Sequence, residues 1–265
     1  MRVIFVAVIF PVMTSALIAV QWLLTKLKLP GWATISLLYY RALCALLGIR
    51  VRVIGKPVRD KPVLIVANHM SWADIPVIGS VAPIAFVSKR EIADWPLIGT
   101  AAKMQRCVFV DRTRRHKTGD AVAEIAQRMI DGHPVVLFAE GTSSDGNRVL
   151  QFRSSLVGAV KDVVAEGAGA DDVLIQPMSI CYTAIAGLPM GRQHRPLVAW
   201  YGDLDFMPHL KEFLRSGAVD AVVTFGAPIV YGADRKALTK SVEETVRQLT
   251  ARTLRGRAAP ATTAA

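Results

Sequence analysis

His69 and Asp74 stand where the apolar run Val63-Leu64-Ile65-Val66-Ala67 breaks into the polar loop Asn68-His69-Met70-Ser71-Trp72-Ala73-Asp74. An imidazole titrates near neutral pH and can take the proton of a hydroxyl group. A carboxylate on its second nitrogen fixes the tautomer and stabilises the imidazolium that forms. The pair therefore offers His69 as a base and Asp74 as the group that orients it. Taken alone the spacing is a weak motif, since a single loop histidine is usually structural. Its weight comes from polar residues further along the chain.

A second polar loop, Glu140-Gly141-Thr142-Ser143-Ser144-Asp145-Gly146-Asn147, opens after the strand-like run 134–139. A carboxylate beside a glycine at a strand end can place an acceptor while the backbone approaches a polar ligand closely. An ordinary Gly/Asn/Asp turn is the competing reading. Arg112, just after the apolar run 107–110, could hold an anionic headgroup with its planar fork, and Lys89, Arg90 and Arg153 are looser candidates. For any one of these cations a solvated surface position is the alternative. Ser71 and the three cysteines are nucleophiles on paper, but Ser71 lies two residues from His69 and no second base is evident. Cys44, Cys107 and Cys181 are widely spaced, which gives neither a disulfide framework nor a zinc pattern, and they are expected to be packing residues in a reducing compartment. The histidines are scattered, so no metal site is expected.

Stepping outward from those loops, strand and helix patterns alternate. Strands are expected at 63–67, 84–88, 107–110, 134–139, 173–180, 196–201 and 219–225. Helices are expected at 73–81, at 118–131 ending on Gly132, at 154–166, and at 234–255, where Leu238, Val242, Val246 and Leu249 form one face. This order predicts an α/β fold, a mixed and mostly parallel sheet flanked by helices, with loops at one sheet edge forming the site.

At 265 residues the chain suits one large domain plus an appendage. Apolar residues make up 52% of it and the formal charge is +11, a pairing that fits an anionic membrane surface. Aromatic residues interleaved with basic ones, as single-stranded nucleic acid requires, are not seen, so no nucleic-acid partner is expected. Residues 1–59 carry eight basic residues and no acidic one. The run Val3 to Leu24 is apolar enough to cross a bilayer, which takes about 20 such residues. Pro11 inside it leaves a kinked or re-entrant helix equally open, and a cleaved signal peptide competes. Ala33 to Leu47 reads as a helix lying in the membrane interface. The resulting division is an anchor at 1–50, an α/β domain at 51–257 and a frayed tail at 258–265, with the catalytic domain on the cytosolic side of the inner (cytoplasmic) membrane.

Five ordered blocks carry a resemblance. Asn68-His69-x4-Asp74, Phe86-Val87-Ser88-Lys89-Arg90-Glu91 with Pro96-Leu97-Ile98-Gly99, Val108-Phe109-Val110-Asp111-Arg112, Phe138-Ala139-Glu140-Gly141-Thr142 and Ile175-Gln176-Pro177-Met178 resemble the glycerolipid acyltransferase family. The similarity covers roughly residues 35 to 230, and it is the joint pattern that is specific. The resemblance implies a membrane-associated acyltransferase. Such an enzyme moves a fatty acyl group from a thioester of coenzyme A or acyl carrier protein to a lysolipid hydroxyl, needing no cofactor beyond that co-substrate. By motif position it implies catalytic roles for His69 and Asp74 and acceptor binding by Arg112, Glu140 and Gly141, with Thr142, Lys89 and Arg90 beside them.

Two departures bear on the acceptor. The family commonly shows Phe-Pro-Glu-Gly-Thr-Arg, whereas here the proline is Ala139 and the arginine is Ser143. Losing that guanidinium removes a bidentate phosphate contact, so lysophosphatidate (1-acylglycerol-3-phosphate) need not be the acceptor. The segment Gly191-Arg192-Gln193-His194-Arg195-Pro196, with Trp200-Tyr201-Gly202-Asp203 and Pro208-His209-Leu210, resembles bacterial members that acylate lyso-ornithine lipid. A thioesterase or ester hydrolase using the same His-Asp pair on water is the alternative enzyme, though a Gly-x-Ser-x-Gly elbow is absent. A non-catalytic membrane-binding module would leave the ordered polar loops unexplained.

Overall fold

Val63 to Ala67 is buried at every position, as a strand covered on both faces demands. The computed structural model describes residues 2–110, 118–154, 173–231 and 234–257. In chain order the described elements are α1 (Arg2–Lys26), α2 (Trp32–Leu47), β1 (Ile49–Ile54), β2 (Val63–Ala67), α3 (Asp74–Gly79), β3 (Ala85–Lys89), α4 (Ile98–Met104), β4 (Val108–Val110), α5 (Thr118–Ile130) and β5 (Val135–Phe138). They continue with β6 (Leu174–Ile185), β7 (Leu188–Pro189), α6 (Phe206–Arg215), β8 (Val219–Phe225), β9 (Ile229–Val230) and α7 (Arg235–Leu254).

The strands form one sheet in the order β1-β8-β6-β2-β5-β3-β4, with β7 and β9 also on β6. β2 runs parallel to β5 and β6, β3 runs parallel to β4 and β5, and β1 runs parallel to β8. Every antiparallel pairing among the described strands involves β6, which meets β7, β8 and β9 that way. Two consequences place the site. The C-terminal ends of β2, β3, β4 and β5 open onto one edge, where parallel sheets present their loops. β6 is longer than β2, so its residues beyond Met178, the partner of Ala67, run on past the end of β2 and flank that edge.

Side chains alternate across the sheet. Ile65 and Ala67 face a core with Tyr40, Leu43, Val77, Ile78 and Phe213, whereas Leu64 and Val66 face Ile125, Met129, Val242 and Val246. The first core lies under α2, α3 and α6, the second under α5 and α7. Asp234 caps α7 by accepting from the backbone of Lys236 and Ala237, and Gly132, in the left-handed region, follows α5.

The apolar N-terminal segment shares the first core. Tyr39, Tyr40, Leu43, Cys44 and Leu47 are buried along α2, and the Tyr40 ring sits so close over Gly79 that it leaves no room for a Cβ there. The helix expected to lie in the interface is thus packed against the sheet along one side. α1 continues through Pro11 without a break. It is tied to α2 by Thr14 with Tyr39 and Gln21 with Ser36, both at 3.0 Å. Its first residue is tied down as well: the Arg2 guanidinium donates to the carbonyls of Leu47, Leu214 and Gly217. The opposite face is apolar and open, with Ile4, Phe5, Val8, Val12, Trp22 and Leu23 exposed.

Elsewhere the expected elements shift for identifiable reasons. Residues 196–201 form no strand; Arg195–Leu197 is a 3-10 turn with Pro196 at its start. Beyond it, the Trp200 N–H donates to Met70 O at 2.7 Å rather than to a ladder. β6 extends the expected 173–180 strand to Ile185, while β1 and α6 form without having been expected. The expected helix 154–166 lies outside the described residues from 155 onward, and so does the tail 258–265.

Candidate active site

The site begins where β2 runs out of ladder partners. Asn68 continues the ladder with its side chain: Oδ1 accepts from the Ile180 N–H and Nδ2 donates to the Ile180 carbonyl, each at 2.9 Å. A buried side-chain amide thus satisfies both backbone groups of a neighbouring strand that would otherwise be orphaned. The chain then turns, and His69 points out of the sheet.

His69 Nδ1 and Asp74 Oδ2 are 2.8 Å apart. The same oxygen accepts the backbone N–H groups of Met70 at 2.8 Å and Ser71 at 3.0 Å. Oδ1 accepts the Tyr182 hydroxyl at 2.9 Å. Four donors converge on one carboxylate that is itself 0% exposed. With Asp74 an acceptor only, Nδ1 must carry the proton and Nε2 keeps its lone pair. Burial, reinforced by the Asp74 charge, lifts the Tyr182 phenol well above its ordinary range, so it stays a donor.

The imidazole is held flat. It stacks on Phe138 with centroids 4.1 Å apart and planes at 19°, and its side chain is 23% exposed. Nε2 has no hydrogen-bond partner among the described residues. An oriented base with its reactive nitrogen free can receive a proton from a bound hydroxyl.

The second loop packs beneath the first. Ser144 donates its N–H to His69 O at 2.9 Å, and Glu140 Oε1 accepts the His69 N–H at 3.4 Å. Glu140 is 2% exposed and its Oε2 has no partner among the described residues. Burial pushes its pKa up to about 8, outweighing the hydrogen bonds from the His69 and Leu150 backbones. The carboxyl is therefore largely protonated at neutral pH, tucked against the histidine loop rather than turned to the open edge. Gly141, at φ +72°, is crossed by Arg153, whose Nε would lie 2.8 Å from a Cβ. Thr142 is exposed. Ser143, where the family motif has arginine, donates its hydroxyl to Trp200 O at 2.5 Å.

Lys89 ends β3 on the same sheet edge, and Arg90 follows it; both are exposed. Arg112 lies outside the described residues, two positions beyond the end of β4. The structure thus brings together His69, Asp74 and Glu140 and keeps Gly141 and Thr142 in the adjoining loop. It adds Tyr182, Asn68 and Phe138, which the sequence reading did not single out. Asn68 and Phe138 stand inside two of the quoted blocks and Tyr182 in none, but the roles of all three come from partners distant in sequence, Ile180, His69 and Asp74.

The alternative nucleophiles are out of reach. Ser71 is 0% exposed and its Oγ accepts from the Ala73 N–H. Burial pushes the thiols of Cys44 and Cys181 up to about 11 and that of Cys107 to about 12, far from a reactive thiolate.

Known proteins resemble this chain in sequence and in fold. The acyltransferase family model matches residues 50–181. A lyso-ornithine lipid O-acyltransferase of Brucella abortus is 45% identical over 98% of this chain and 97% of its own length. One from Rhizobium meliloti is 45% identical over 83% of this chain and 75% of its own. The crystal structure of the 1-acyl-sn-glycerophosphate acyltransferase PlsC from Thermotoga maritima shares the fold, with a TM-score of 0.58 at 19% identity, over 98% of this chain and 100% of that one. Matched along nearly its whole length by a relative at this level of identity, the chain belongs to the acyltransferase family and is an acyltransferase.

Proposed function

We propose that the enzyme transfers a fatty acyl group from an acyl thioester, carried by acyl carrier protein or coenzyme A, to the free hydroxyl of lyso-ornithine lipid. The observation that carries this reading is the free Nε2 of a histidine whose Nδ1 is locked by a four-donor aspartate at an open sheet edge. The acceptor follows from two relatives of that name and from Ser143, which leaves the site without the motif guanidinium suited to a phosphate monoester.

In the proposed reaction His69 Nε2 removes the acceptor hydroxyl proton as the oxygen attacks the thioester carbonyl. The tetrahedral intermediate collapses, the C–S bond breaks, and the imidazolium returns its proton to the leaving thiolate. Asp74 stabilises the imidazolium throughout. No covalent enzyme intermediate forms; both substrates are bound together, and most of the rate comes from holding them in line. Arg112, Lys89 and Arg90 are assigned to anionic parts of the substrates, and Gly141 and Thr142 to the backbone wall beside the acceptor. Glu140 is assigned to bracing the His69 backbone. The exposed apolar face of α1 is assigned to the cytoplasmic leaflet of the inner membrane, where the lysolipid resides.

An acceptor panel tests this. Purified enzyme is given labelled acyl donor with lyso-ornithine lipid, 1-acylglycerol-3-phosphate, other lysophospholipids or no acceptor. Preferred acylation of lyso-ornithine lipid is expected. Preferred use of 1-acylglycerol-3-phosphate would overturn the acceptor assignment, and donor consumption that ignores the acceptor would overturn transfer in favour of hydrolysis.

A further inference from the structure

A second polar site lies away from His69, where the C-terminal end of α1 meets the domain. There a cavity of about 270 Å³ is lined by Gln21, Leu24, Lys28, Leu29, Trp32 and Arg106, among others. Arg106 precedes β4 and contacts His133, which precedes β5. The cavity therefore sits at the N-terminal ends of these strands, the opposite edge from the candidate active site.

Its lining is basic, with Asp131 acting on Arg106 from outside it. Lys28 and Arg106 both line it, no acidic residue does, and neither cation has an ion-pair partner among the described residues. Arg106 is nevertheless fixed: its guanidinium lies over the Trp32 ring at 4.5 Å and meets His133 Nε2. Trp32 is held in turn by donating to Met104 O at 2.9 Å. Gln21 is 2% exposed; its Nε2 donates to Ser36 Oγ at 3.0 Å, while its Oε1 has no partner among the described residues. A buried amide oxygen without a donor is unfavourable and calls for a hydroxyl or ammonium group. Lys28 and Arg106 also hold φ of 51° and 59°, a region that side-chain-bearing residues rarely adopt.

The surroundings indicate the source of such a ligand. Trp22, Leu23, Leu27 and Leu29 are about half exposed beside the cavity, continuing the open apolar face of α1. The volume lies below the roughly 300–1,000 Å³ of pockets for whole drug-sized ligands, which suits a headgroup whose chains stay outside.

We propose that this cavity binds the headgroup of an anionic glycerophospholipid, its phosphate between Lys28 and Arg106 and a headgroup hydroxyl donating to Gln21 Oε1. Bound there, the lipid fastens the end of α1 to the domain at the membrane surface. The site is separate from that of the acyl acceptor, and its lipid is bound whichever lysolipid is acylated.

The test reconstitutes the full chain in phosphatidylcholine vesicles containing phosphatidylglycerol, releases it into detergent and counts retained lipids by native mass spectrometry. One retained phosphatidylglycerol per wild-type chain is expected. Lys28→Gln/Arg106→Gln should lower its retention at least tenfold, with Lys28→Gln alone as the milder variant should the pair fail to fold. Arg235→Gln/Lys236→Gln, which removes the same charge from the start of α7, should leave retention unchanged. Equal retention in the wild type and the Lys28 and Arg106 variants, or equal retention of phosphatidylcholine, overturns the proposal. Saturable binding of soluble glycerol 3-phosphate without any lipid retention overturns it in favour of a soluble anion.

Discussion

Tyr182 Oη lies 2.9 Å from Asp74 Oδ1, on the side of the carboxylate away from His69. The phenol comes from the part of β6 that runs on past the end of β2, so sheet register sets the aspartate's position. Without that donor, Oδ1 of a fully buried carboxylate would have no hydrogen bond among the described residues. Tyr182→Phe should therefore destabilise the fold by about 1–3 kcal/mol, the range for an unsatisfied buried polar group. It should lower kcat roughly tenfold, as a loss of about 1.4 kcal/mol in orientation would do. Steady-state kinetics and denaturant unfolding check both, with KM for the acceptor expected to stay unchanged.

Glu140 gives a pH signature. Its carboxyl titrates at about 8 in the folded protein against an ordinary 4.5, because burial penalises the charge. The folded state thus keeps a proton that the unfolded chain has lost, so stability falls as pH rises from about 4.5 through about 8. Glu140→Gln removes the titration and keeps an oxygen for the His69 N–H. Thermal unfolding measured from pH 4 to 9 should show the variant with the flatter profile. At neutral pH its turnover should stay within a few-fold of wild type.

Asn68 stitches the histidine loop to β6. Asn68→Ala leaves both the N–H and the carbonyl of Ile180 buried and unpaired, at about 1–3 kcal/mol for each group. Denaturant unfolding should show a loss of about 2–6 kcal/mol, the sum of the two. Activity should fall as well, because the carbonyl of His69 is held by Ser144 only while the loop keeps its place.

How much of this could be read from the chain depends on sequence distance. His69 and Asp74 lie five residues apart, on the loop after β2 and the first residue of α3, so their spacing carries the pairing. The buried runs of β2 and β5 were legible from composition, as was the apolar face of α7. Tyr182 and Asn68 were not, because their roles depend on β6 being the neighbour of β2, and nothing local specifies strand order. From the sequence Glu140 reads as a ligand at a strand end; its burial beneath the histidine loop emerges only when two loops distant in sequence pack together. Residues 196–201 look like a strand by composition, yet Pro196 starts a 3-10 turn and Trp200 spends its N–H on Met70. The alternation Ile49-Arg50-Val51-Arg52-Val53-Ile54 is a plain edge-strand signal overshadowed by the apolar segment before it.

Acyl transfer by His69→Ala, measured with purified full-length enzyme, labelled acyl donor and lyso-ornithine lipid in vesicles, tests the central claim most directly. Removing a general base of this kind should lower turnover by about 10²–10⁴-fold, while vesicle binding and thermal unfolding stay close to wild type. Turnover within a few-fold of wild type would contradict the assignment of His69 as the base.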